Sequence, residues 1–133
     1  MFASIANLPI FLLFFVISVG LTALYLFVYT FATAHNEFAL IRQNVVSAAI
    51  ALGLSLIGFA LPLSSAVVYA VTVVDLVIWG LIAMVVQIAA YGLVRVMIPN
   101  LSQRIASGEM SAALFLGAIS LAAGILNASA MTF

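Results

Sequence analysis

Asp75, Trp79, Ala83, Gln87 and Tyr91 follow one another at a strict spacing of four. On an α-helix each such step turns the side chain by about 40°, so the five form a slowly winding ribbon on one broad face. The chain around them is 68% apolar, with only six Asp, Glu, Lys and Arg among 133 residues. An acid, an indole and an amide in that setting are the groups able to do chemistry. An aspartate near the centre of a lipid-spanning helix costs about 2.5–3.5 kcal/mol on the insertion scale. Asp75 is therefore expected to face a protein partner or water. Two readings follow. One is a polar cluster that fixes helix register. The other is a proton- or cation-handling site with Asp75 as its acid, Gln87 bonding a neighbouring helix, Trp79 packed on protein and Asn127 approaching Asp75 from the last helix.

Other chemistry is poorly provided for. No cysteine is present, which removes disulfides, thiolate metal sites and cysteine nucleophiles. No phosphate-binding Gly-rich loop, His-Glu-x-x-His or Gly-x-Ser-x-Gly elbow occurs. His35 and Glu37 stand two apart but lack a third and fourth ligand, so they read as solvated groups at a membrane boundary. No enzyme activity, metal or cofactor is expected. A soluble domain carries roughly a quarter charged residues. Three basic and three acidic side chains can neither cover a water-facing surface nor form the basic patch of a nucleic-acid binder.

The elements that carry the ribbon must then be membrane spans. In hydrocarbon the backbone has to satisfy its own hydrogen bonds, and about 20 residues cross a core of roughly 30 Å. Apolar runs at about 9–34, 45–63, 66–97 and 110–131 predict four transmembrane helices in one all-α polytopic domain, 1–133. Runs such as Leu12-Leu13-Phe14-Phe15-Val16-Ile17 do not alternate, which excludes a β-barrel. The first run lacks a basic flank and is too long for a cleaved signal peptide. The Pro62-Leu63-Ser64-Ser65 turn sets the start of the third helix at Ala66, which puts Asp75 about 14 Å into it at 1.5 Å per residue.

Arg42 lies between the first two helices, and Arg95 and Arg104 lie around the third connection. Four helices bring both places to one side, and no Lys or Arg falls on the other. The positive-inside rule predicts cytoplasmic loops at 35–44 and 98–109 and both termini outside. Glu37 and Glu109 share the basic side and are expected to pair with its arginines.

Small residues recur at spacing four on two helices: Ser47, Ala51 and Ser55 on the second, and Ser120, Gly124 and Ala128 on the fourth, with Ala113 and Gly117 below. Such faces let backbones approach closely, between these helices or against a second subunit. Helix 1 carries Ser18, Thr22, Tyr25, Tyr29 and Thr33 in one stripe. Its deeper members, Ser18, Thr22 and Tyr25, are expected to hydrogen-bond across helices.

Ser47-Ala48-Ala49-Ile50-Ala51-Leu52-Gly53 matches Ser111-Ala112-Ala113-Leu114-Phe115-Leu116-Gly117 at an offset of 64. An offset of 65 instead aligns Ser55-Leu56 with Ser120-Leu121. Either register makes 1–65 and 66–133 candidate repeat halves in the same orientation, two parallel two-helix repeats. With Asn44 before a small-residue helix, Gly58-Phe59-Ala60-Leu61-Pro62-Leu63, Asp75 with Trp79 and Gln87, and the ending Gly124-Ile125-Leu126-Asn127-Ala128, the chain resembles the bacterial inner-membrane family of domain of unknown function 350. Repeats of that family commonly begin Gly-Asn, where this chain has Gln43-Asn44 and Gly108-Glu109. The resemblance implies a small four-helix membrane protein with an internal repeat.

The function expected from these residues is a small channel or a proton- or cation-permeation protein built around Asp75. It would work in the lipid bilayer as a homo-oligomer. The competing expectation is a non-transporting anchor or regulatory subunit of a partner complex, touching an unidentified protein through residues 98–109.

Overall fold

The computed structural model describes residues 5–33 and 37–131. The chain forms α1 (Leu8–Ala32), α2 (Glu37–Arg42), α3 (Val46–Tyr69), α4 (Val73–Met97), α5 (Leu101–Ala106) and α6 (Met110–Ala130). Four of these, α1, α3, α4 and α6, are long and apolar enough to cross a membrane, with 25, 24, 25 and 21 residues. Among the described residues no strand occurs. The molecule is an all-α, four-span membrane protein.

Two helix boundaries differ from the sequence expectation, and both differences matter. Pro62 does not end its helix: α3 runs through it to Tyr69, with Pro62 buried inside. A proline in a span is tolerated where neighbouring helices take up the freed backbone groups. The turn falls instead at Ala70–Thr72, and α4 begins at Val73, seven residues later than Ala66. At the start of α1, Pro9 lies in the first turn and Asn7 occupies the N-cap, but its side chain makes no cap bond.

α3 and α6 run in the same direction and form the most extensive helix pair. α4 packs on both, whereas α1 rests on α4 and α3. A strict twofold arrangement would give α1 the neighbours that α4 has. α1 is instead the peripheral helix, and Phe11, Phe15, Val16, Phe27 and Phe31 on it are more than half exposed to what would be lipid.

The connections α2–α3 and α5–α6 share one backbone. Each short helix ends with a residue at positive φ, Asn44 at 66° and Gly108 at 94°. The amide of Val45 donates to Leu40 O and that of Asn44 to Ile41 O; Glu109 donates to Arg104 O and Gly108 to Ile105 O. This is the paired 6→1 and 5→2 pattern that closes a helix through a left-handed residue, and it recurs at an offset of 64. Asn and Gly are the residues that accept such a φ most readily. Further along, the helices bring Ser55 to Ser120 and Gly58 to Gly124, which are 65 and 66 apart.

Candidate functional site

Polar side chains line the seam where α1, α3, α4 and α6 meet. The serine pair Ser55 and Ser120 lies at its centre, hydroxyl to hydroxyl at 3.2 Å, and both are buried. The Ser55 hydroxyl also reaches Tyr29 Oη at 3.4 Å, and the Tyr25 hydroxyl donates to Ser55 O at 3.4 Å. From α4, Gln87 donates through one Nε2 to Gly58 O at 3.1 Å and Ser120 O at 3.0 Å. One amide thereby ties α3 and α6 to α4. The Tyr25 ring stacks on Phe59, with centroids 4.4 Å apart, and Phe59 and Leu76 are fully buried beyond it.

Towards the basic end the seam continues. Tyr29 meets the Tyr91 ring edge-on, and the Tyr91 hydroxyl pairs with Ser102 at 3.0 Å. Ser47 donates to Ile105 O at 2.6 Å, fastening α5 to the start of α3. At the rim stands Glu37. It has no exposed surface, its carboxylate accepts a hydrogen bond from the Thr33 hydroxyl, and it lies within electrostatic reach of Tyr29. Burial pushes its carboxyl above the ordinary value of 4.5, and the Thr33 bond opposes part of that rise. Removing a carboxylate from water disfavours the charged form, which is the cause of the shift.

Glu37 was expected to be a solvated boundary residue pairing with arginine, and the structure corrects this. Among the described residues Glu109 pairs with Arg104 at 3.1 Å, whereas Glu37 is buried against Thr33. The signal was present in the sequence: Tyr25, Tyr29, Thr33 and Glu37 continue one spacing of four, so the polar stripe of α1 points at the acid that follows it. His35 lies outside the described residues.

The structure also moves Asp75. It is the third residue of α4, in a capping box with Thr72. Its amide donates to the Thr72 hydroxyl at 3.2 Å, and its Oδ2 accepts from the amides of Val71 and Thr72 at 3.3 and 3.4 Å. It closes the helix start at the end opposite the arginines and is not set deep in the span. Thr72-Val-Val-Asp75 is itself the sequence signature of such a box. Asn127 does not bond Asp75, and its buried Nδ2 has no hydrogen-bond partner among the described residues. Trp79 packs at the margin of the core, whereas Ala83, Gln87 and Tyr91 are buried, so the ribbon enters the interior only from Ala83 onwards. Asp75→Ala, which removes the acceptor that closes the box, should cost about 1 kcal/mol of stability, the scale of a lost helix cap. That is readable as a small downward shift in the denaturation midpoint of the purified protein.

Two of the three deeper hydroxyls on α1 turn inward on their own helix. Ser18 donates to Phe14 O and Thr22 to Ser18 O, at 2.7 and 2.9 Å, which is the local i−4 bond open to Ser and Thr. Only Tyr25 reaches another helix. The small-residue faces are used within the chain. Ser47, Ala51 and Ser55 are buried on α3, and Gly117, Ser120 and Gly124 on α6, while Ala128 is half-buried. A Cβ on Gly124 would overlap the Gly58 carbonyl, and one on Gly58 would overlap the Ser120 carbonyl. These faces therefore hold α3 against α6 and are not left open for a second subunit.

A four-span bundle with a polar seam and a duplicated helix-entry backbone defines a small multi-pass membrane protein. The model of the family described as Domain of Unknown Function (DUF350) matches residues 3–131, and the chain belongs to that family. It is similar to the UPF0719 inner membrane protein YjfL of Escherichia coli (strain K12), 40% identical over 120 residues that cover 90% of this chain and 91% of the relative. The protein of that name in Escherichia coli O157:H7 is similar to the same extent. No solved structure matches the chain.

Proposed function

We propose that the protein is a proton-linked permeation protein of the inner membrane, with Glu37 rather than Asp75 as its acid. The observation that carries this reading is a carboxyl group with no exposed surface at the rim of a hydroxyl-lined seam. Hydroxyls both donate and accept, so Thr33, Tyr29, Ser55 and Ser120 offer successive places for a proton delivered at Glu37. Past Ser120 the interior is filled by the Tyr25–Phe59 stack and Leu76, which makes this the closed form. α1 is the helix able to open it, because it is the least buried of the four. Arg42, Arg95 and Arg104 at the Glu37 end support, through the positive-inside rule, an orientation with that end in the cytoplasm and both termini outside. Because the α3 and α6 faces are occupied internally, a second copy in an oligomer would meet the outer face of α1.

The same uncovered α1 face supports a second reading, in which the chain anchors or regulates a partner and moves nothing. Flux in proteoliposomes with a proton-sensitive dye separates the two. The expected result is dissipation of a pH gradient by the wild type and by Asp75→Asn, slowed about 100-fold in Glu37→Gln, the scale of a lost general acid–base group. Absence of flux in folded wild type at every pH and applied potential would overturn the permeation reading and leave the anchor.

A further inference from the structure

The end of the molecule that carries the arginines has a polar niche outside the seam. It is an open hollow of about 280 Å3 lined by Arg95, Asn100, Leu101, Ser102 and Gln103. Arg95 is in the last turn of α4 and is exposed, and among the described residues it has no acidic partner, in contrast to Arg104, which Glu109 neutralises. Asn100 is held at φ 57°, and its side chain makes no cap bond. The Ser102 hydroxyl is fixed on Tyr91, so the floor of the niche is part of the packed bundle. No carboxylate lines the niche. No anionic group in it would pair with the ammonium of a zwitterionic headgroup, whereas a guanidinium with two amides suits a phosphate oxyanion. Val96 and Met97 beside Arg95 are 84% and 56% exposed, so apolar surface adjoins the niche where acyl chains would run.

We propose that this niche binds the phosphate group of an anionic phospholipid in the leaflet at the basic end, with Arg95 supplying the charge and Asn100 and Gln103 the flanking donors. The site is independent of whether the seam carries protons. The adjoining apolar surface commits it to a lipid rather than to free phosphate.

Native mass spectrometry of the purified full chain in detergent tests this, with phosphatidylglycerol and phosphatidylcholine titrated separately and inorganic phosphate added as competitor. The expected result is one phosphatidylglycerol retained in preference to phosphatidylcholine, with its affinity falling about tenfold in Arg95→Gln, the scale of a hydrogen-bonded charge pair. Asn100→Asp, which keeps a residue tolerant of the left-handed backbone but adds a negative charge, should weaken it similarly. Arg42→Gln, exposed and outside the niche, should leave it unchanged. Equal weakening by Arg42→Gln and Arg95→Gln, or equal retention of both lipids, would overturn the proposal in favour of diffuse attraction to the leaflet. Displacement of the lipid by millimolar inorganic phosphate would overturn it in favour of a soluble-anion site.

Discussion

Gly124→Ala will loosen the central helix pair more than Gly117→Ala, whose added Cβ meets the Leu54 side chain and not backbone. The Cβ added at Gly124 would land on the Gly58 carbonyl, and backbone atoms of a packed helix cannot swing aside as a side chain can. Separating α3 from α6 would also disturb Gln87, whose two acceptors, Gly58 O and Ser120 O, belong to those helices. Overpacking a close-fitting core costs about 3 kcal/mol at the upper end of its usual range. Reversible unfolding in mixed detergent micelles should report a loss of that order for Gly124→Ala and for Gly58→Ala. Gly53→Ala provides the contrast, since nothing lies within 4 Å of a Cβ there. The same addition in an open helical position should stabilise by up to about 1 kcal/mol.

Stability should fall as pH rises through the window above 4.5, and Glu37→Gln should abolish that fall. The sign follows from linkage. Burial raises the Glu37 carboxyl in the folded protein, so between 4.5 and the folded value the native state holds a proton that the unfolded state has released. Below that window both states are protonated, and the burial of a neutral acid costs least. Within it, stability declines by up to about 1.4 kcal/mol per pH unit. Glutamine keeps the shape and cannot titrate, so the variant should unfold at a midpoint insensitive to pH in this range and should exceed the wild type at its upper end. A wild-type profile that rises with pH over the same window would contradict the buried, proton-retaining carboxyl.

The four spans were legible because the lipid requirement on backbone hydrogen bonds is nearly independent of detail: long apolar runs without charge admit one secondary structure. The small-residue faces of α3 and α6 were legible for a related reason, since spacing four on a helix makes one stripe whatever lies opposite. What spacing could not supply was the ends of helices within apolar sequence. Pro62 followed by two serines resembles a turn, yet the span continues because packing replaces the lost bond. That shift of seven residues turned Asp75 from a deep acid into the cap of α4. Local chemistry carried the better signal there, in the Thr72 and Asp75 pair. Ser18 and Thr22 share a stripe with Tyr25, but their short side chains reach only their own backbone, whereas the tyrosine spans to α3. The burial of Glu37 was not legible because a charged residue after a span reads as a solvated boundary. Its burial depends on α2 folding back against α3, a tertiary contact that sequence spacing alone does not specify.

Infrared titration of the carboxyl band tests the central assignment most directly. Wild type and Glu37→Gln would be compared in lipid across pH, and the difference isolates one protonated carboxyl. The expected result is a band present in the wild type, absent in the variant, and persisting above the ordinary value of 4.5. A band that disappears near 4.5, or one that Glu37→Gln leaves in place, would contradict Glu37 as the buried acid of the seam.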